Sequence, residues 1–129
     1  MTLTIVRGIP GSGKTTFVKR SFSCLHLEND MFHMRDGKYM FKGTSQPDAI
    51  KWCMDTARNA LEAGMDVVVS NTFTKRRYVE AYRKIAEETG ASFEVFRCTG
   101  SFENVHSVPK DVFESMKAGF EDWPGEKLT

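Results

Sequence analysis

Cysteine is scarce in this chain: Cys24, Cys53 and Cys98 stand far apart and form no C-x-x-C pair. That usage excludes a disulfide framework and a thiolate zinc site, and fits reduced thiols in a cytosol. The three histidines, His26, His33 and His106, do not pair at i, i+4, so no histidine metal site is suggested. No apolar run approaches the ~20 residues that span a bilayer, and no charged-then-apolar leader opens the chain. The expectation is a cytoplasmic protein without a membrane partner. Charge of one sign is also missing: Lys+Arg number 18 and Asp+Glu 17, a net charge of +1. A polyanion would therefore have to be met by a local patch, not by the field of the whole molecule. Repeats and low-complexity segments are absent, and 129 residues suit a single domain. The expected boundaries are a domain over 1–121 and a loose C-terminal tail over 122–129.

The most specific feature present is Gly8-Ile9-Pro10-Gly11-Ser12-Gly13-Lys14-Thr15, directly after the apolar run Leu3-Thr4-Ile5-Val6. This is the phosphate-binding pattern G-x-x-x-x-G-K-[ST], and each fixed position has a chemical reason. Glycines let successive backbone N–H groups turn inward around a phosphate. Lys14 supplies a cation to the β- and γ-phosphates, and the Thr15 hydroxyl suits Mg²⁺. The helix that follows, through Thr16-Phe17-Val18-Lys19-Arg20, aims its positive end at the same anion. The expected ligand is a nucleoside triphosphate with Mg²⁺, held by Gly8, Pro10, Gly11, Ser12, Gly13, Lys14, Thr15 and Thr16.

Strand signals fall at about 3–7, 24–27, 66–70 and 92–98, with helical patterns between them. The spacing predicts a helix over 47–63, with the apolar stripe Ile50, Met54 (or Cys53), Ala57 and Leu61 and an exit at Gly64. A second helix, about 75–89, packs through Val79, Tyr82 and Ile85/Ala86 and ends at Gly90; a last one, 111–120, turns Val112, Phe113 and Met116 inward. Val67-Val68-Val69, without alternation, reads as a strand buried on both faces. Strand–helix alternation predicts a three-layer α/β/α P-loop sandwich with a mostly parallel sheet of about four strands. In such sheets ligands sit beyond the carboxyl ends of the strands. The candidates are therefore 8–15, Glu28-Asn29-Asp30, Ser70-Asn71-Thr72 and 99–107.

Those edges suggest a division of labour. A carboxylate at Asp30 takes the proton of an attacking hydroxyl or holds Mg²⁺ through water, or it caps a short helix, Met31–Met34; these roles can coincide. Glu28 is the second carboxylate there. Arg35, one turn beyond Asp30, is placed for a substrate phosphate or for solvent. Lys75-Arg76-Arg77 fits either a polyanionic substrate or a solvated face, with Arg76 the candidate contact. Phe73 suits a stacked base or the core. The usual Walker B acid is missing, since the third strand runs out as Val69-Ser70-Asn71; Mg²⁺ would then lean on Asp30 or Glu28.

Several stretches carry a resemblance: G-x-P-G-S-G-K-T-T at 8–16, Glu28-Asn29-Asp30-Met31-Phe32, Gly37-Lys38-Tyr39, Val69–Thr74, and Asn104–Pro109. Through nearly its whole length the chain resembles the small P-loop kinases of the bacteriophage 5′-polynucleotide kinase group and short phage ATP-binding proteins. The resemblance implies that Lys14 and Thr15 hold ATP phosphates and Mg²⁺. It also implies that Asp30 is the general base for a 5′-hydroxyl of DNA or RNA. Asn71 stands where those kinases carry an aspartate, and is a candidate substrate contact. Those kinases place arginines before the Val-Pro step; 101–107 contains none, leaving His106 and Arg97 as the nearby substitutes. The residues and the resemblance together leave three functions: a polynucleotide 5′-hydroxyl kinase, a nucleoside or small-metabolite kinase, and an ATP-binding module without transfer.

Overall fold

The structure is a computed structural model that describes residues 1–35, 38–39, 46–100 and 109–129. Its strands are β1 (Thr2–Arg7), β2 (Leu25–Leu27), β3 (Met34–Arg35), β4 (Lys38–Tyr39), β5 (Val67–Asn71), β6 (Ser92–Arg97) and β7 (Lys127–Leu128). The helices are α1 (Lys14–Ser21), α2 (Gln46–Glu62), α3 (Arg76–Thr89) and α4 (Lys110–Ala118), with a 3-10 helix at Asn29–His33. Five strands form one parallel sheet in the order β2-β5-β1-β6-β7, and β3 and β4 make a separate antiparallel ribbon. The fold is the expected α/β sandwich, one strand larger than the expected four. No helix among the described residues is long and apolar enough to cross a membrane.

The valine run explains the layering. Successive side chains on a strand point to opposite faces, so Val67 and Val69 join Leu3, Ile5 and Val95 under α2 and α3. Val68 goes the other way, joining Val6 and the α1 side with Val18, Phe17 and Phe22. All three valines are fully buried, each contributing roughly 1.5–3 kcal/mol by leaving water. Gly64 and Gly90 end α2 and α3 at φ 83° and 76°, a conformation that only glycine adopts without strain. On α3 the buried set is the expected Val79, Tyr82, Ile85 and Ala86.

Two inward faces differ from expectation. On α2 the residue buried in the first turn is Ala49, while Ile50 is 40% exposed. Further along, Cys53, Ala57, Ala60 and Leu61 join the core shared with the sheet. On α4 nothing is buried, and Val112 is 41% exposed rather than inward.

The C-terminal stretch 122–129 is not a loose tail. β7 adds to the edge of the sheet beside β6, and the Trp123 ring packs edge-on against Phe93 at 6.3 Å. The residue that anchors it is Arg7, the last of β1, whose side chain has no exposed surface. Its guanidinium donates to the Phe73 carbonyl at 2.6 and 3.1 Å, to the Glu121 carbonyl at 2.7 Å and to Glu126 Oε1 at 2.8 Å. Phe120 lies between two cations, Arg7 at 4.3 Å and Arg97 at 4.4 Å from its ring centre. A buried charge must be paired and hydrogen-bonded to persist, and this one is paired by the C-terminal segment.

Candidate functional site

Parallel pairing brings the ends of β1, β5 and β6 to one level, with Arg7 opposite both Asn71 and Arg97. The phosphate loop leaves β1 at this level and enters α1. Gly11 and Gly13 have φ 81° and 94°, the left-handed geometry that turns N–H groups to one side. A Cβ on Gly8 would lie 2.3 Å from Ser12 Oγ and 3.0 Å from the Cys98 carbonyl, so the first position admits no side chain. Ser12 is buried and its hydroxyl has no partner among the described residues. The Lys14 ammonium rests on two carbonyls of its own loop, Gly8 at 2.9 Å and Ile9 at 3.1 Å. Burial pushes the Lys14 ammonium below its ordinary value, and charges at Cys98, Glu28 and Asp30 pull it back. A cavity of about 440 Å³ opens beside the loop, with Ser12, Gly13, Thr16 and Phe17 facing Cys98 and Gly100.

Asp30 is exposed in the 3-10 helix at the exit of β2, and Glu28 is half-buried just before it. Both lie within electrostatic range of Lys14 although β5 separates their strand from β1. The turn that carries them is tied to β5 by polar side chains. Asn71 Oδ1 accepts the Asn29 backbone N–H at 2.9 Å, and Asn71 Nδ2 donates to Asn29 Oδ1 at 3.3 Å. His26 Nε2 is 2.6 Å from Ser70 Oγ and 3.3 Å from Glu28 Oε1. Burial lowers the His26 basicity, Glu28 raises it and Lys19 lowers it further. Among the described residues no three His, Cys, Asp or Glu side chains gather to hold a metal ion.

Several of the other expected contacts have partners within the chain. Asn71, expected to touch substrate, is engaged by Asn29. Arg76 is turned to the C-terminal segment: its backbone N–H donates to Glu121 Oε1 at 2.8 Å and its Nε to the Asp122 carbonyl at 2.6 Å. Lys75 Nζ donates to the Gly119 carbonyl at 2.6 Å. Arg97 pairs with Asp122 and Glu126. Phe73 is core, packed edge-on against Tyr82 at 5.5 Å, with φ 46°. Arg35 is the second residue of β3, its side chain outside the described residues, as is all of His106. A second, open groove of about 470 Å³ runs along α3 between Arg77, Arg83 and Trp123, and no phosphate-loop residue lines it. Arg7, His26 and Asn29 had only weak signals in the sequence: a charge closing an apolar strand, and polar residues within and just after the short run of β2.

A family model described as AAA domain (AAA_33) matches residues 3–107, which include the loop, the acidic turn and the ends of β1, β5 and β6. The chain belongs to this AAA domain family. Nucleotide binding at the phosphate loop follows from membership. An uncharacterized Pasteurella multocida protein, PM0531, is 29% identical over 95% of this chain and 78% of its own length. Among solved structures the chain is similar to a sugar kinase from Janibacter sp. HTCC2649, with a TM-score of 0.67 at 18% identity, covering 100% of this chain and 83% of that one. It is also similar to a chain of the Pnkp1/Rnl/Hen1 RNA repair complex, with a TM-score of 0.71 at 20% identity over 92% of this chain, though spanning only 43% of that one. The APS kinase CysC of Mycobacterium tuberculosis, solved with AMPPNP and APS, gives 0.60 at 15% identity, covering 98% and 87%. The AAA domain chain thus has the fold of kinase-like P-loop domains.

Proposed function

We propose that this domain moves the γ-phosphate of ATP to a hydroxyl, and that its acceptor is the 5′-hydroxyl end of a DNA or RNA strand. The observation that carries the reading is the acidic turn held across β5 from the phosphate loop, with Asp30 exposed and in electrostatic range of Lys14. The loop residues fit a triphosphate: the unpartnered Ser12 hydroxyl, the left-handed glycines and an ammonium resting on carbonyls that phosphate oxygens can replace. A divalent cation bound there would neutralise charge on the transferring group, with the Thr15 hydroxyl and Asp30 as its protein side. Lys14 binds the β- and γ-phosphates, its ammonium half freed from water by burial and so stronger toward an anion. Asp30 Oδ accepts the proton of the attacking hydroxyl. The phosphate loop of the AAA domain family and the RNA repair neighbour support this reading.

A nucleoside or small-metabolite acceptor is the second reading, and one observation favours it. Lys75, Arg76 and Arg97 are consumed within the chain, which leaves Arg77 as the one member of the basic triplet not tied to the C-terminal segment. Transfer of labelled γ-phosphate to a panel of 5′-hydroxyl oligonucleotides and free nucleosides separates the two, with Lys14→Ala as the blank. Label on oligonucleotide ends is the expected result. Label confined to nucleosides moves the assignment to the second reading, and ATP binding with no label on any acceptor would point to a binding module without transfer.

A further inference from the structure

The β2 ladder ends early. Main-chain pairing with β5 covers Leu25, His26 and Leu27 against Val67, Val68 and Val69 and goes no further. β5 continues for two residues, Ser70 and Asn71, while the neighbouring chain breaks away at Glu28 into the 3-10 helix that carries Asp30. A three-residue edge strand is a weak support for a group that must be held to a fraction of an ångström. Beyond the ladder the work passes to side chains. Ser70 Oγ meets His26 Nε2, and Asn71 takes the place of the next rung with two bonds to Asn29, one to its backbone N–H and one to its side-chain oxygen.

We infer that Asn71 is the positioning residue for Asp30, replacing the missing ladder between β5 and the acidic turn; the catalytic half of this inference rests on the reading of Asp30 given above. Asn71 does not line the cavity beside Gly13. It acts one residue removed, by fixing the peptide that leads into Asp30. Its own anchorage is firm, since Asn71 sits opposite Arg7 at the end of the central pair of strands. The amide explains the absence of a carboxylate at this strand end. A neutral group there can donate as well as accept, and it places no third negative charge beside Glu28 and Asp30. Aspartate would keep the bond from the Asn29 backbone N–H and would leave Asn29 Oδ1 facing a second acceptor unless the Asn29 amide turned over.

The test reads the tie and the transfer separately. Hydrogen exchange at the Asn29 amide reports the tie directly, because that N–H is the one Asn71 accepts. Asn71→Ala speeds exchange at Asn29 by about 10-fold or more, while Phe17 in α1 and the core amides of β5 are unchanged; Asn71→Asp keeps most of the protection. In phosphate transfer Asn71→Ala lowers kcat by roughly 10- to 100-fold with the KM for ATP within about 2-fold, and Asn71→Asp recovers part of kcat. Unchanged exchange at Asn29 overturns the inference, and so does an unchanged kcat in a protein whose Asp30→Asn variant is dead. If Asp30→Asn itself retains full transfer, the reading of Asp30 fails, and the exchange measurement alone decides whether Asn71 holds the turn.

Discussion

Arg7, Asn71 and His26 show how polar side chains fix a site edge that backbone pairing leaves open. Arg7 is fully buried and Glu126, its ionic partner, has a side chain only 8% exposed. Arg7→Ala removes one partner and strands the other, together with the Phe73 and Glu121 carbonyls. The expected cost is about 3–5 kcal/mol, read as a fall in the denaturation midpoint without a change in the shape of the transition. His26 supplies the pH dependence. Burial first, and Lys19 second, hold its imidazole below the ordinary 6.5, against the pull of Glu28. The unfolded chain therefore binds a proton more readily than the folded one. His26 contributes stability that is full above 6.5 and is lost as pH falls from there through the folded value. Thermal melts between pH 8 and 5 should show that decline, and His26→Gln should flatten it while keeping a polar partner for Ser70.

At the scale of elements, α2 illustrates what a helical period conveys and what it leaves open. The 3.6 period located the helix and its exit at Gly64, yet a stripe drawn through Ile50 or through Ala49 satisfies the same period. Hydrophobicity favours Ile50; the packing buries the small residue instead. Ala49→Leu should cost about 1–3 kcal/mol by overpacking, while Ile50→Ala, at 40% exposure, should stay within about 1 kcal/mol; urea denaturation of the two variants checks the order. The C-terminal segment is the harder case. Its sequence, Asp122-Trp123-Pro124-Gly125-Glu126, carries no period at all. It is ordered by bonds from Arg7, Arg76 and Arg97, residues far away in the chain. The basic triplet was legible as a cluster of charge, but its use was not, because the carbonyls of Gly119 and Asp122 that satisfy Lys75 and Arg76 leave no mark in the residue types.

For the molecule as a whole, the fold class and the phosphate loop were legible because each rests on short-range constraint. Gly8, Gly11 and Gly13 are demanded by backbone geometry, and Val67-Val68-Val69 by burial on two faces. The strand-end rule then led to Asp30 and Asn71 without a contact in view. What it lacked was direction: Asn71 turns sideways to Asn29. The result is a division across the sheet, with an anion cradle on β1, an acidic turn on β2 and β5 as the fixed bar between them. In the proposed reaction this turn activates the acceptor hydroxyl. The most direct measurement is single-turnover transfer of γ-phosphate to a 5′-hydroxyl oligonucleotide by the unaltered protein and by Asp30→Asn, with nucleotide affinity measured alongside. The account predicts a loss of roughly 10²-fold or more in the transfer rate with nucleotide affinity changed by less than about 3-fold. Transfer by Asp30→Asn at the unaltered rate would contradict it.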